Sequence, residues 1–290
     1  MSPSYFSRVL HCYRKSAVDA FNQLVMQPFL PILIFLGYLT VQLAESLIMN
    51  LQLGFLGGFA LGLVQLSFIS YVFKWFVLAR EKRLPHPWKA LQRAVGEDED
   101  PWAHVRRKNR GLWFQEIFQF DSQMFLLIIN AAFPIFLAEF VVDSLSSETL
   151  SLPSFVKLGI VLFFNPVPEV IMIERTNGVS ALAEALQFMK KFIVEWLLPT
   201  VIILIICFSP YIVLSGNPLL WIEPLVLVLA GSELLLPMEL VGRSIPQLAL
   251  YLFPFSGVAA NIAGLFLGLT LGAWHGLFRL ELFERLKSIH

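Results

Sequence analysis

The chain has 290 residues, of which 57% are hydrophobic and only 14% charged, with a mean hydropathy of +0.71 and a formal net charge of +0. A soluble domain carries about 25% charged residues, so a chain this poor in charge cannot cover a water-facing surface, and a soluble globular protein is excluded. The balanced charge gives no reason to expect nucleic acid as a partner.

The sequence predicts an all-α polytopic membrane protein, because only helices and closed barrels satisfy their backbone groups in lipid and alternating barrel strands are absent. The N-terminal 27 residues lack the compact apolar core of a signal peptide, since Arg8, His11, Arg14 and Lys15 interrupt it. They are instead expected to form an amphipathic helix with Tyr13, Ala17, Ala20 and Leu24 on one face and Arg14, Lys15 and Asp19 on the other. A first pair of spans follows at 28–48 and 51–79, with Gly54, Gly57, Gly58 and Gly62 at small-xxx-small spacings that permit close helix packing. Lys74 is expected to snorkel to the inner surface.

The link over 80–123 is the most polar part of the chain. Its acidic run Glu97, Asp98, Glu99 and Asp100 is expected to be a solvated loop. Arg106, Arg107, Lys108 and Arg110, followed by Trp113, form a candidate anchor for anionic lipid headgroups, each cation contributing about 1 kcal/mol there. A second amphipathic helix is predicted from Trp113, Ile117, Phe120 and Met124, with Gln115, Glu116 and Gln119 opposite. Spans at 124–142 and 155–173 make the second hairpin. A third amphipathic helix carries Leu182, Leu186, Met189 and Ile193 against Glu184 and Lys191, and spans at 196–214 and 248–277 complete the third hairpin. The expected layout is thus a single domain of about six transmembrane helices in three hairpins, each preceded by a surface helix.

Cations decide the expected orientation. They crowd the N-terminus, the 80–123 link, Arg175, Lys190 and Lys191, and Arg279, Arg285 and Lys287, whereas the opposite links have almost none. The positive-inside rule therefore puts both termini in the cytoplasm, with 279–290 as a cytoplasmic tail. Six spans satisfy that map, so the apolar segment 219–240 is expected to be a re-entrant or interfacial element within an outer insertion at 215–247. Pro218, Pro224, Gly231 and Pro237 would break it, and Glu223, Glu233 and Glu239 are costly in bare lipid.

Asn165, Pro166, Pro168 and Glu169 interrupt the fourth span. Each proline removes a backbone donor and leaves a carbonyl one turn earlier unpaired. Asn165 and Glu169 either compensate that break or line a polar path. Glu139, Glu195, Asn130 and Asn261 are expected to serve at interfaces or in interhelical hydrogen bonds, and His275 to be an interface residue. Cys12 and Cys207 make neither a disulfide framework nor a zinc pattern. No paired H-E-x-x-H, G-x-S-x-G elbow or Walker loop occurs, so no catalytic residue, metal or cofactor is assigned.

The stretch "VIMIERTNGVSALAEALQFMKKFIVEWLLP" resembles uncharacterised bacterial integral membrane proteins related to the membrane domain of glycerophosphodiester phosphodiesterases. Pro168, Glu174, Gly178, Ala185, Lys190 and Trp196 stand where those proteins have a span ending in Pro, then Glu, a Gly-containing turn, an amphipathic helix and an aromatic-led span. The resemblance implies a multi-pass domain of the bacterial inner membrane without an established catalytic site. The functional expectation is a non-catalytic subunit or scaffold that assembles with other membrane proteins or organises lipid. The rival is a transporter or channel whose polar path runs past Asn165 to Glu169 and the 216–244 segment.

Overall fold

The computed structural model describes residues 5–51, 54–81, 84, 116–145, 159–160, 162–176, 178–215 and 258–289. The described residues contain helices and no strands. In chain order the helices are α1 (Tyr5–Met26), α2 (Phe29–Asn50), α3 (Phe55–Arg80), α4 (Ser122–Leu145), α5 (Val167–Glu174), α6 (Gly178–Ser215) and α7 (Val258–Lys287). Among the described residues, Phe29–Asn50, Leu56–Arg80 and Glu116–Val142 are long and apolar enough to cross a membrane. Large apolar side chains such as Leu43, Leu47, Phe59, Phe136 and Phe140 stand exposed along them. Hydrocarbon solvates such residues at no cost, whereas water would not. Hydroxyls on these helices bond one turn back, as Thr40 does to the Leu36 carbonyl (2.9 Å) and Ser67 to that of Leu63 (2.7 Å).

The chain divides into two compact units, one of Met1–Ala20 with Leu127–His290, the other of Phe21–Leu126. In the second unit, α2 and α3 form a hairpin. Gly37 of α2 meets the Phe68 ring of α3, where an added Cβ would lie 2.5 Å from the ring carbon Cε2. Of the glycines predicted to bring helices together, Gly57 is buried, whereas among the described residues nothing lies within 4 Å of a Cβ built on Gly54, Gly58 or Gly62. Gly54 serves the turn instead, with a φ of +54° that side chains other than glycine rarely adopt.

One side of α3 holds the segment 117–121, which runs from the end of a helical turn at 116–118 through the bend at Gln119. Trp75 Nε1 donates to the Ile117 carbonyl (3.2 Å), Tyr71 to that of Phe118 (3.1 Å), Lys74 to that of Gln119 (2.7 Å) and Ser70 to that of Asp121 (3.4 Å). Asp121 then caps α4, its Oδ1 accepting the Met124 amide at 3.0 Å. This corrects one expectation. The predicted amphipathic helix does not run from Ile117 to Met124, because the backbone leaves the helix at Gln119 and restarts at Ser122. The Lys74 ammonium reaches the Gln119 carbonyl of the 80–123 link.

In the first unit the buried face of α1 is Val9, Cys12, Ser16 and Ala20, one position off the predicted line. Tyr5 and Tyr13 donate to the Glu195 carboxylate and main-chain carbonyl of α6, both at 2.8 Å, and Trp274 of α7 donates to the Ala17 carbonyl at 3.3 Å. The predicted surface helix over 175–195 and the predicted span after it are continuous in α6 from Gly178 but kinked at Phe192 (φ −131°, ψ 23°). The residues expected to be a tail continue α7 to Lys287 and bury Leu280, Leu282, Phe283 and Leu286. Arg285 pairs with Asp19, and Lys287 pairs with Glu174 and with Glu184 (2.7 Å). Burial, then a hydrogen bond with Glu184, pushes the Glu174 carboxyl up, and that same bond holds Glu184 down.

Candidate functional site

The break at Asn165–Glu169 is a polar centre of the first unit. Helical turns at 159–160 and 162–164 give way to a turn at Asn165 and Pro166, and α5 begins at Val167. Pro168 occupies its first turn. A proline there forfeits an amide that has no intrahelical acceptor anyway, and its fixed φ suits the helix. The two prolines therefore start a helix rather than kink one. At the other end Arg175 takes the left-handed conformation (φ 49°, ψ 35°), with its amide on the Ile171 carbonyl at 3.1 Å. That residue turns the chain into α6 through Gly178.

Gly178 is where α6 meets α4. A Cβ there would collide with the backbone carbonyl of Asn130, so glycine's second hydrogen is directed at that oxygen. Pro134 lies within α4 and lacks the amide that would otherwise bond the Asn130 carbonyl. The close approach of Gly178 thus falls on the carbonyl the proline leaves free, an arrangement that favours a Cα–H to oxygen contact.

Glu169 is 3% exposed and faces Arg279 of α7, itself 4% exposed. Arg279 Nε donates to one carboxylate oxygen at 2.6 Å and Nη2 to the other at 2.9 Å, a two-point match of planar groups. The same Nη2 donates to the Asn165 carbonyl at 2.8 Å. The Asn165 side chain accepts from Trp196 Nε1 at 2.8 Å, and the Arg279 guanidinium lies 4.7 Å from the Trp196 ring centroid. Trp196, Phe188 and Phe283 pack around this group with centroids 4.5 to 6.1 Å apart. One turn before Arg279 on α7, His275 is buried with Nε2 3.3 Å from the Thr200 hydroxyl. Its Nδ1 has no hydrogen-bond partner among the described residues.

Of the predicted site, then, Asn165, Pro166, Pro168 and Glu169 come together at one place. Sequence reasoning missed Arg279, Trp196, Thr200 and the burial of His275. Charge pattern alone groups Arg279 with the cytoplasmic cations and His275 with the interface. A buried carboxylate demands a cation at its own depth, and Arg279 is the first cation after the apolar run of α7, so the requirement itself pointed to it. The headgroup-anchor residues Arg106, Arg107, Lys108, Arg110 and Trp113, and Glu223 and Glu233 of the outer segment, lie outside the described residues. No family model, curated protein or solved structure matches the chain.

Proposed function

We propose that the protein is a non-catalytic, multi-span subunit or scaffold of a bacterial inner membrane, with both termini cytoplasmic, which assembles with other membrane proteins. The observation that carries this reading is the closed arrangement around Glu169: its carboxylate and Asn165 are both taken up by Arg279 and Trp196. Polar groups so engaged hold α5, α6 and α7 together, with both Glu169 carboxylate oxygens satisfied by Arg279. The resemblance carried by Pro168, Glu174, Gly178, Ala185, Lys190 and Trp196 supports the same conclusion, since it implies a membrane domain without an established catalytic site. Extraction in mild detergent and copurification test it. Partners at fixed ratio are expected, and they persist when Glu169 and Arg279 are replaced together by Leu and Met. A stable monomer that carries no partner would refute the scaffold.

A transporter is the second reading, favoured by the buried and unpartnered Nδ1 of His275 one turn from Arg279. It requires solute flux in proteoliposomes that Glu169→Gln and Asn165→Ala abolish.

A further inference from the structure

α1 presents three sides. Val9, Cys12, Ser16 and Ala20 are buried in the first unit. Phe6, Leu10, Phe21 and Val25 are exposed large apolar residues, and at 3.6 residues per turn they fall within an arc of about 100° on a second side. Arg8 and Lys15, exposed, lie on the third side with His11 and Asn22, and Arg14 falls inside the apolar arc, from which its long stem reaches outward. The helix has a single carboxylate, Asp19, and Arg285 of α7 takes it. Only Gln27 and Pro28 separate α1 from α2, and the Gln27 and Leu30 amides bond the Leu24 and Gln27 carbonyls, so the chain has no slack there. The end of α1 therefore stands at the end of a helix long and apolar enough to cross a membrane.

We propose that the exposed side of α1 lies in the headgroup boundary of an anionic leaflet, with Phe6, Leu10, Phe21 and Val25 among acyl chains and Arg8, Arg14 and Lys15 among lipid phosphates. Three features select that occupant over a second copy or a soluble partner. The apolar arc is bordered by cations, and the one carboxylate of α1 is already paired with Arg285, which fits an anionic surface. It is continuous in sequence with a span. Its width matches a helix lying in the interface rather than one buried on all sides. The proposal rests on the membrane reading of α2 and adds a lipid class and a set of residues to it.

The test uses the full chain with Cys12 and Cys207 replaced by Ser, reconstituted in nanodiscs of phosphatidylglycerol or phosphatidylcholine. Nitroxides are placed singly at Leu10, Phe21, Lys15, Asn22 and, on α2, Leu43. Collision with oxygen is expected to dominate at Leu10, Phe21 and Leu43, and collision with a water-soluble nickel chelate at Lys15 and Asn22. The triple variant R8Q/R14Q/K15Q is expected to lower the protein's preference for phosphatidylglycerol at least tenfold. Nickel access at Leu10 and Phe21 with Leu43 still in lipid overturns the proposal alone, as does occlusion of Leu10 and Phe21 from both reagents, the result for a covering protein. An unchanged phosphatidylglycerol preference overturns the anionic assignment. Nickel access at Leu43 instead refutes the membrane reading of α2 on which the proposal stands.

Discussion

Glu169 and Arg279 are the two residues on which the first unit turns. Two charges this deeply buried lose several kcal/mol of hydration each, and recover it only because the guanidinium meets both carboxylate oxygens and the Asn165 carbonyl as well. Removing one partner leaves the other charge unpaired. Arg279→Met is therefore expected to lower stability by about 3–5 kcal/mol, read as a fall in the thermal midpoint of the detergent-solubilised protein. Adding Glu169→Leu should restore most of it, because an apolar pair of similar volume avoids the desolvation. A double variant as unstable as the single one would show that the pair's geometry, and not the orphaned charge, matters. Tyr13 gives the pH dependence. Burial first, and then the nearby Glu195 carboxylate, push its phenol from 10 up to about 12. As pH rises through this window the unfolded chain loses the proton before the folded one, so stability falls between pH 10 and 12. Tyr13→Phe cannot ionise and should flatten that fall, while costing about 1 kcal/mol at neutral pH through the lost bond to the Glu195 carbonyl.

At the scale of elements, α5 and the start of α6 show how prolines and glycine set a helix path. Pro166 and Pro168 begin α5, Arg175 ends it in the left-handed region at a cost of about 1 kcal/mol, and Gly178 lets α6 approach the α4 backbone. The obstacle at Gly178 is backbone, which cannot rotate aside as a side chain can. Gly178→Val should force α6 away from α4 and destabilise by about 2–4 kcal/mol, more than Gly178→Ala, with the thermal midpoint as the measurement. Gly58→Ala on α3, where nothing lies within 4 Å, should be neutral or slightly stabilising by comparison. A Gly-containing turn at Gly178 was expected only through the resemblance of that stretch to a membrane-protein family. The packing role of the α3 glycines was not legible, because small-xxx-small spacing shows only that helices can approach and not that a neighbour is there.

At the scale of the whole molecule, the distribution of cations predicts both termini in the cytoplasm. A reporter or thiol label near His290 should be accessible only from the cytoplasmic side in intact cells; periplasmic access would reverse the map and turn the 219–240 segment into a crossing. Composition and hydropathy alone pointed to helices long and apolar enough to cross a membrane, because hydropathy is a sum over neighbours in sequence and a span needs only about 20 of them. The break at Asn165 to Glu169 was equally local and equally visible. The tertiary structure decided what closes that break. Glu169 and Arg279 are separated by 110 residues, and Asn165 and Trp196 by 31. Their pairing follows from which helix faces meet and at what depth, and those are properties of packing that no local pattern carries.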